Sequence, residues 1–92
     1  MITVEIPAAL QPYAAARATV RLGQPVRTVR DALMALAVDH PGVVDRVLTE
    51  QGHVREHINI FVDTESVSFQ QGLATPVPDG STIVILAAVS GG

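Results

Sequence analysis

Gly91 and Gly92 end the sequence, and the carboxylate behind them is the group best placed to do chemistry. With a pKa of about 3.3–3.7 it is anionic at neutral pH and resists nucleophilic attack until activated. Adenylation by ATP would supply a leaving group, and a sulfur donor could then convert the acyl-adenylate into a thiocarboxylate, whose sulfur is nucleophilic and transferable. The residues before the carboxylate suit that task. Ser90-Gly91-Gly92 would project roughly 10 Å when extended, and the two glycines carry no side chain and reach backbone conformations closed to other residues. Such a tail threads a narrow channel into a partner's active site, where a bulkier one would jam. At about 7% glycine a random chain ends in two glycines about 0.5% of the time. An ordinary frayed tail is therefore the competing reading, and the pair gains its weight from the strand that leads into it.

Other chemistry is hard to build from this chain. It has no cysteine, which removes disulfides, thiolate zinc sites and a cysteine nucleophile. It has no lysine, so it cannot be built into lysine-linked chains of itself, although an arginine-biased coding habit accounts for the same absence. His40, His53 and His57 are not spaced to share a helix face, so they predict no metal site. Asp63 and Glu65 fall in a tight turn, where acids are common for backbone reasons. No phosphate-binding, dinucleotide or nucleophile-elbow motif is present. The chain reads as something acted upon, not as an enzyme.

The elements that must position the tail follow from periodicity. Thr3-Val4-Glu5-Ile6 and Ala18-Thr19-Val20-Arg21-Leu22 alternate as half-buried strands, joined by a wide turn over residues 8–17. Thr28 then caps a helix, with Asp31 three residues on in a near capping box. Val29, Leu33, Leu36 and Ala37 recur at helical spacing until His40-Pro41-Gly42 stops them. A shorter helix is expected over residues 43–48. His57-Ile58-Asn59-Ile60-Phe61-Val62 is a strand, Asp63 to Ser66 a turn, and Val67 with Phe69 a short partner strand. After a second turn at Asp79-Gly80, residues 82–89 form the most β-branched strand of the chain. The order β-β-α-β-β with a closing strand predicts an α+β domain, its main helix packed across a mixed sheet.

Parity splits the last strand. Ile83, Ile85 and Ala87 share one face, Val84 and Leu86 the other. With one main helix to cover one face, Val84 and Leu86 either form an exposed docking patch beside the tail or are covered by residues 73–77.

Composition bounds the rest. Ninety-two residues, 48% hydrophobic and 16% charged, make a single folded domain, expected over residues 1–89, with a flexible tail at 90–92. A formal charge of −3, with six scattered arginines, argues against nucleic acid. The N-terminus lacks a signal-peptide pattern and no apolar run is long enough to cross a membrane, so a cytoplasmic location is expected.

Three segments carry a family likeness: His57-Ile58-Asn59-Ile60-Phe61-Val62-Asp63, then Val67-Ser68-Phe69-Gln70-Gln71-Gly72-Leu73-Ala74-Thr75, and Asp79-Gly80-Ser81-Thr82 continuing to Gly92. With them the chain resembles the ubiquitin-like sulfur carriers, which include the small subunit of molybdopterin synthase and the thiamine-pathway carrier. Within that family it is most similar to the actinobacterial carriers of cysteine biosynthesis. One departure is visible: alanine stands at position 87, where the family usually has proline. Alanine restores a backbone N–H, which would let the tail leave the sheet one or two residues later. The resemblance implies a β-grasp fold with no bound cofactor. It also implies an ATP-using adenylyltransferase that activates Gly92 and recognises Gly91 and Ser90. Sulfur would come from a rhodanese-like protein or sulfide. The implied acceptor is a cysteine synthase-like enzyme, with a metalloprotease releasing the product. Three alternatives stay open: a molybdopterin synthase small subunit, a ubiquitin-like protein modifier, and a β-grasp interaction module with an idle tail.

Overall fold

The computed structural model describes residues 1–88. Strand β1 (Ile2–Glu5) buries Ile2 and Val4 and turns Thr3 and Glu5 outward. Pro7 then opens a connection that the sequence reads only as a wide turn. Ala8–Ala14 is a 3-10 helix with Leu10 and Ala14 turned into the core. It tolerates Pro12, which has no N–H to give. It ends on two exposed alanines in left-handed backbone, Ala15 (φ 53°) and Ala16 (φ 62°). Strand β2 (Thr19–Leu22) returns antiparallel, with Ile2 opposite Leu22 and Glu5 opposite Thr19.

Helix α1 (Val29–Asp39) begins with a complete capping box. The Thr28 hydroxyl accepts from the Asp31 N–H at 3.2 Å, and the Asp31 carboxylate accepts from the Thr28 N–H at 3.3 Å. Val29, Ala32, Leu33, Ala35 and Leu36 form its buried stripe. Helix α2 (Pro41–Val47) starts on Pro41 itself, because the first turn of a helix needs no N–H there. Val43, Val44 and Val47 seat it in the same core.

Strand β3 (Ile58–Val62) follows the expected alternation. Its partner differs from the sequence reading. The pairing strand, β4, is Glu65–Ser66, whereas Val67–Phe69 forms a 3-10 turn. Asp63 at φ 55° turns the chain so tightly that pairing is complete by Ser66, and Val67 drops into the core. Strand β5 (Thr82–Ala87) ends two residues before the predicted limit, and Val89 lies outside the described residues.

The sheet runs β2-β1-β5-β3-β4. β1 and β5 are parallel and every other pair is antiparallel. The last strand is thus the central one, wedged between the first and the third. Ile83 and Ile85 are almost wholly buried on its core face. This is the α+β, mixed-sheet arrangement that the sequence predicts.

Candidate functional site

β5 delivers the chain to its terminus, so the site is built outward from it. Its backbone is clamped at both ends. At the start, Asp63 exchanges two bonds with Thr82: its N–H donates to the Thr82 carbonyl at 2.7 Å, and its carboxylate accepts from the Thr82 N–H at 2.9 Å. At the far end the Ala88 N–H donates to the His57 carbonyl at 2.8 Å. Positions 57 and 88 are therefore a hydrogen-bonded pair, which makes Ile58 and Ala87 a non-hydrogen-bonded one. The N–H that alanine restores at position 87 points away from β3, past the end of β1, and adds no bond to the β3 ladder. The sheet holds the chain through Ala88 by its own register. The predicted tail residues Ser90, Gly91 and Gly92 lie outside the described residues, as does the domain boundary at Val89.

The two faces of β5 that parity separates differ in burial. Leu86 is 47% exposed and Val84 half-buried. By register Val84 lies between Glu5 and Phe61, and Leu86 is opposite Asn59. The segment expected as an alternative cover goes elsewhere. Leu73, Thr75 and Val77 are buried on the α1 side, where the Val29 N–H donates to the Thr75 carbonyl at 3.1 Å and the Val77 N–H to the Arg27 carbonyl at 2.9 Å. Both helices also pack into the core, so no second layer covers Leu86 among the described residues.

The remaining candidates have structural tasks. Asp63 holds the turn and the Thr82 N–H, while Glu65 accepts from the Gln70 side chain at 2.8 Å. His40 joins α1 to α2, and His53 and His57 are exposed. Among the described residues no cluster of three or more histidines and acids could hold a metal ion. Among the described residues one titrating group, Asp79, is clearly perturbed. The N-terminal ammonium hydrogen-bonds to Asp79 and holds its carboxyl below the ordinary carboxylate value.

Sequence reading missed one feature. Arg46 on α2 and Arg55 and His57 on the segment entering β3 meet with Asp45, Ala87 and Ala88 around an open groove of about 740 Å³, at the point where β5 ends. The arginines are nine positions apart, with no local periodicity between them to signal the meeting.

Comparison with known proteins gives a consistent picture. The ThiS family profile matches residues 4–92. The sulfur carrier protein CysO of Mycobacterium tuberculosis is 32% identical over 93 residues, spanning 99% of this chain and 98% of its own. The crystal structure of the Amycolatopsis orientalis BexX/CysO complex contains a chain with a TM-score of 0.91 and 33% identity, matched over 100% of both chains. Small archaeal modifier protein 3 of Haloferax volcanii is 32% identical over 65 residues, covering 71% of this chain and 70% of its own.

Proposed function

The chain belongs to the ThiS family of ubiquitin-like sulfur carriers, and on that premise we propose that its terminal Gly92 carboxylate is adenylated and converted to a thiocarboxylate. A carboxylate oxygen of Gly92 attacks the α-phosphate of ATP and pyrophosphate leaves. Sulfide then attacks the acyl carbon and AMP leaves, so that one oxygen is exchanged for sulfur with no change of oxidation state. A protein persulfide as donor gives an acyl disulfide instead, and a thiol reductant must then release the thiocarboxylate. The observation that carries this reading is the family match, which runs through Gly91 and Gly92. The central strand supports it, because β5 fixes the backbone through Ala88 and leaves four residues, about 13 Å when extended, to reach an active site.

The partners follow from that chemistry. They are an ATP-dependent adenylyltransferase, a sulfur source, and an acceptor synthase; likeness to CysO favours cysteine or a related small metabolite as the product. Leu86 and Val84 form the docking patch for the activating enzyme, supported by the exposure of Leu86 and the partial exposure of Val84 on the strand that carries the tail. A second reading, attachment of Gly92 to other proteins as a modifier, is favoured by the likeness to small archaeal modifier protein 3.

The test is the intact mass of the protein incubated with ATP, sulfide and a cognate adenylyltransferase. Exchange of one oxygen for sulfur is expected in the full chain and not in one lacking Gly92, whose melting temperature stays the same. Equal labelling of both would sink the proposal. Branched glycine remnants on cellular lysines, without a thiocarboxylate form, would move the modifier reading to first place.

A further inference from the structure

Where β5 leaves the sheet, the fold gathers positive charge that the sequence keeps apart. Arg46 sits on α2, and Arg55 and His57 lie on the segment entering β3. Leu10, Ile58 and Ala87 supply apolar lining between them, and Asp45 also lines the groove, so that its formal charge is two arginines against one carboxylate. Both guanidinium groups are held in place without being neutralised. Arg55 donates through Nε and Nη2 to the Asp45 backbone carbonyl at 3.3 and 2.9 Å. Arg46 donates through Nη1 to the Gly42 carbonyl at 3.0 Å and stacks 3.6 Å from the centre of the Tyr13 ring. Among the described residues neither forms an ion pair, the N-terminus and Asp79 making the only one. Nη1 of Arg55, and Nε and Nη2 of Arg46, are left to bond something else.

Two oriented cations against one carboxylate, beside apolar lining and on a chain of formal charge −3, favour a particular ligand. A phosphate on the activated terminus is a poor fit. Gly92 is four residues beyond Ala88, so a tail held extended in an enzyme's channel would carry an adenylate about 13 Å from it. A free phosphate would also leave the apolar lining unused. A protein segment with carboxylates alternating with apolar side chains satisfies both parts, since guanidinium groups bind carboxylates through paired N–H donors.

We propose that this groove is a docking site for an acidic, apolar segment of the protein that grips the tail. On the carrier reading that protein is the adenylyltransferase, and only this identification rests on that reading. Contacts made here fix the root of the tail while Leu86 is engaged on the outer face, and the charge pairing steers encounter.

The test needs no activating enzyme. The isotope-labelled protein is titrated by NMR with a short blocked peptide of alternating glutamate and leucine, at low salt and at about 1 M, where surface charges are screened within roughly 3 Å. Expected are shifts confined to the amides of residues 55–58, 87 and 88 and to the Arg46 and Arg55 side-chain N–H signals. They should weaken roughly tenfold in Arg46→Glu, survive in Arg21→Glu on β2, and vanish at high salt. Arg46→Gln, which removes the charge without adding one, should fall between, and melting curves serve as the check that all three variants fold. No shift at millimolar peptide, shifts spread over every arginine, or equal binding by Arg46→Glu would each overturn the proposal. A chain that loads sulfur normally but ignores the peptide would defeat this inference and leave the carrier function standing.

Discussion

Replacing Leu86 with aspartate separates docking from folding, and the structure fixes the expected size of each effect. Fully burying a leucine side chain is worth about 1.5–3 kcal/mol. Leu86 is 47% exposed, so roughly half of that gain is already taken in the free domain and half is left for a partner. Truncation to alanine should therefore cost about 1 kcal/mol of stability, and about 1 kcal/mol of affinity, close to a fivefold change in Kd. Aspartate behaves differently in the two settings. In the free domain its carboxylate stays in water opposite the neutral Asn59, and the stability loss should remain within about 1–2 kcal/mol. At a closed interface the same charge would be desolvated without a partner, costing about 3 kcal/mol or more, over a hundredfold in Kd. The neighbouring core position shows the contrast: Ile85 is 1% exposed, and Ile85→Asp should not fold. The assay pairs thermal unfolding with the affinity of the activating enzyme, measured on the same preparations. Two results would refute the reasoning. One is a Leu86→Asp protein that unfolds like Ile85→Asp, and the other is one that folds and binds as tightly as the parent.

Other substitutions probe the tail and the frame. Gly91→Val should fold normally yet fail single-turnover adenylation, because a β-branched residue excludes positive φ and widens the tail, with Gly91→Ala intermediate. Equal rates for all three, read by mass, would mean that no narrow channel closes on the tail. Ala16→Gly should raise stability by about 0.5–1 kcal/mol in denaturant titration, since the native φ of 62° strains alanine and suits glycine, less the entropy glycine loses on folding. The depressed Asp79 pKa predicts a contribution that is present above the ordinary carboxylate value of 3.8 and fades as pH falls through the lowered folded value. Asp79→Asn should therefore lower stability slightly at neutral pH and flatten the acid limb of the profile below about pH 4, and equal stability of the two proteins at neutral pH would count against the ion pair.

Local chemistry was legible in the chain. Thr28 and Asp31 announce the start of α1 because a cap is a contact between residues three apart. Alternation in β1, β3 and β5 marks which residues share a face, because the pleat has a period of two. The two final glycines point to a tail by having no side chains at all. Parity could separate Ile83 and Ile85 from Val84 and Leu86, but not say which layer covers each pair. That depended on where residues 73–77 packed, and backbone bonds to Thr75 and Arg27 draw them under α1, leaving Leu86 bare. The 3-10 helix Ala8–Ala14 also escaped notice, since only Leu10 and Ala14 anchor it and their partners are distant in sequence. Long-range pairing decided the rest. β5 became central only by lying parallel to β1, with Thr82 opposite Thr3, a pairing for which nothing local in either strand codes. The same closure brought Arg46, Arg55 and His57 around the exit of β5. Charges on separate elements become a site only when the core between those elements has formed, so no reading of neighbours along the chain could have assembled it.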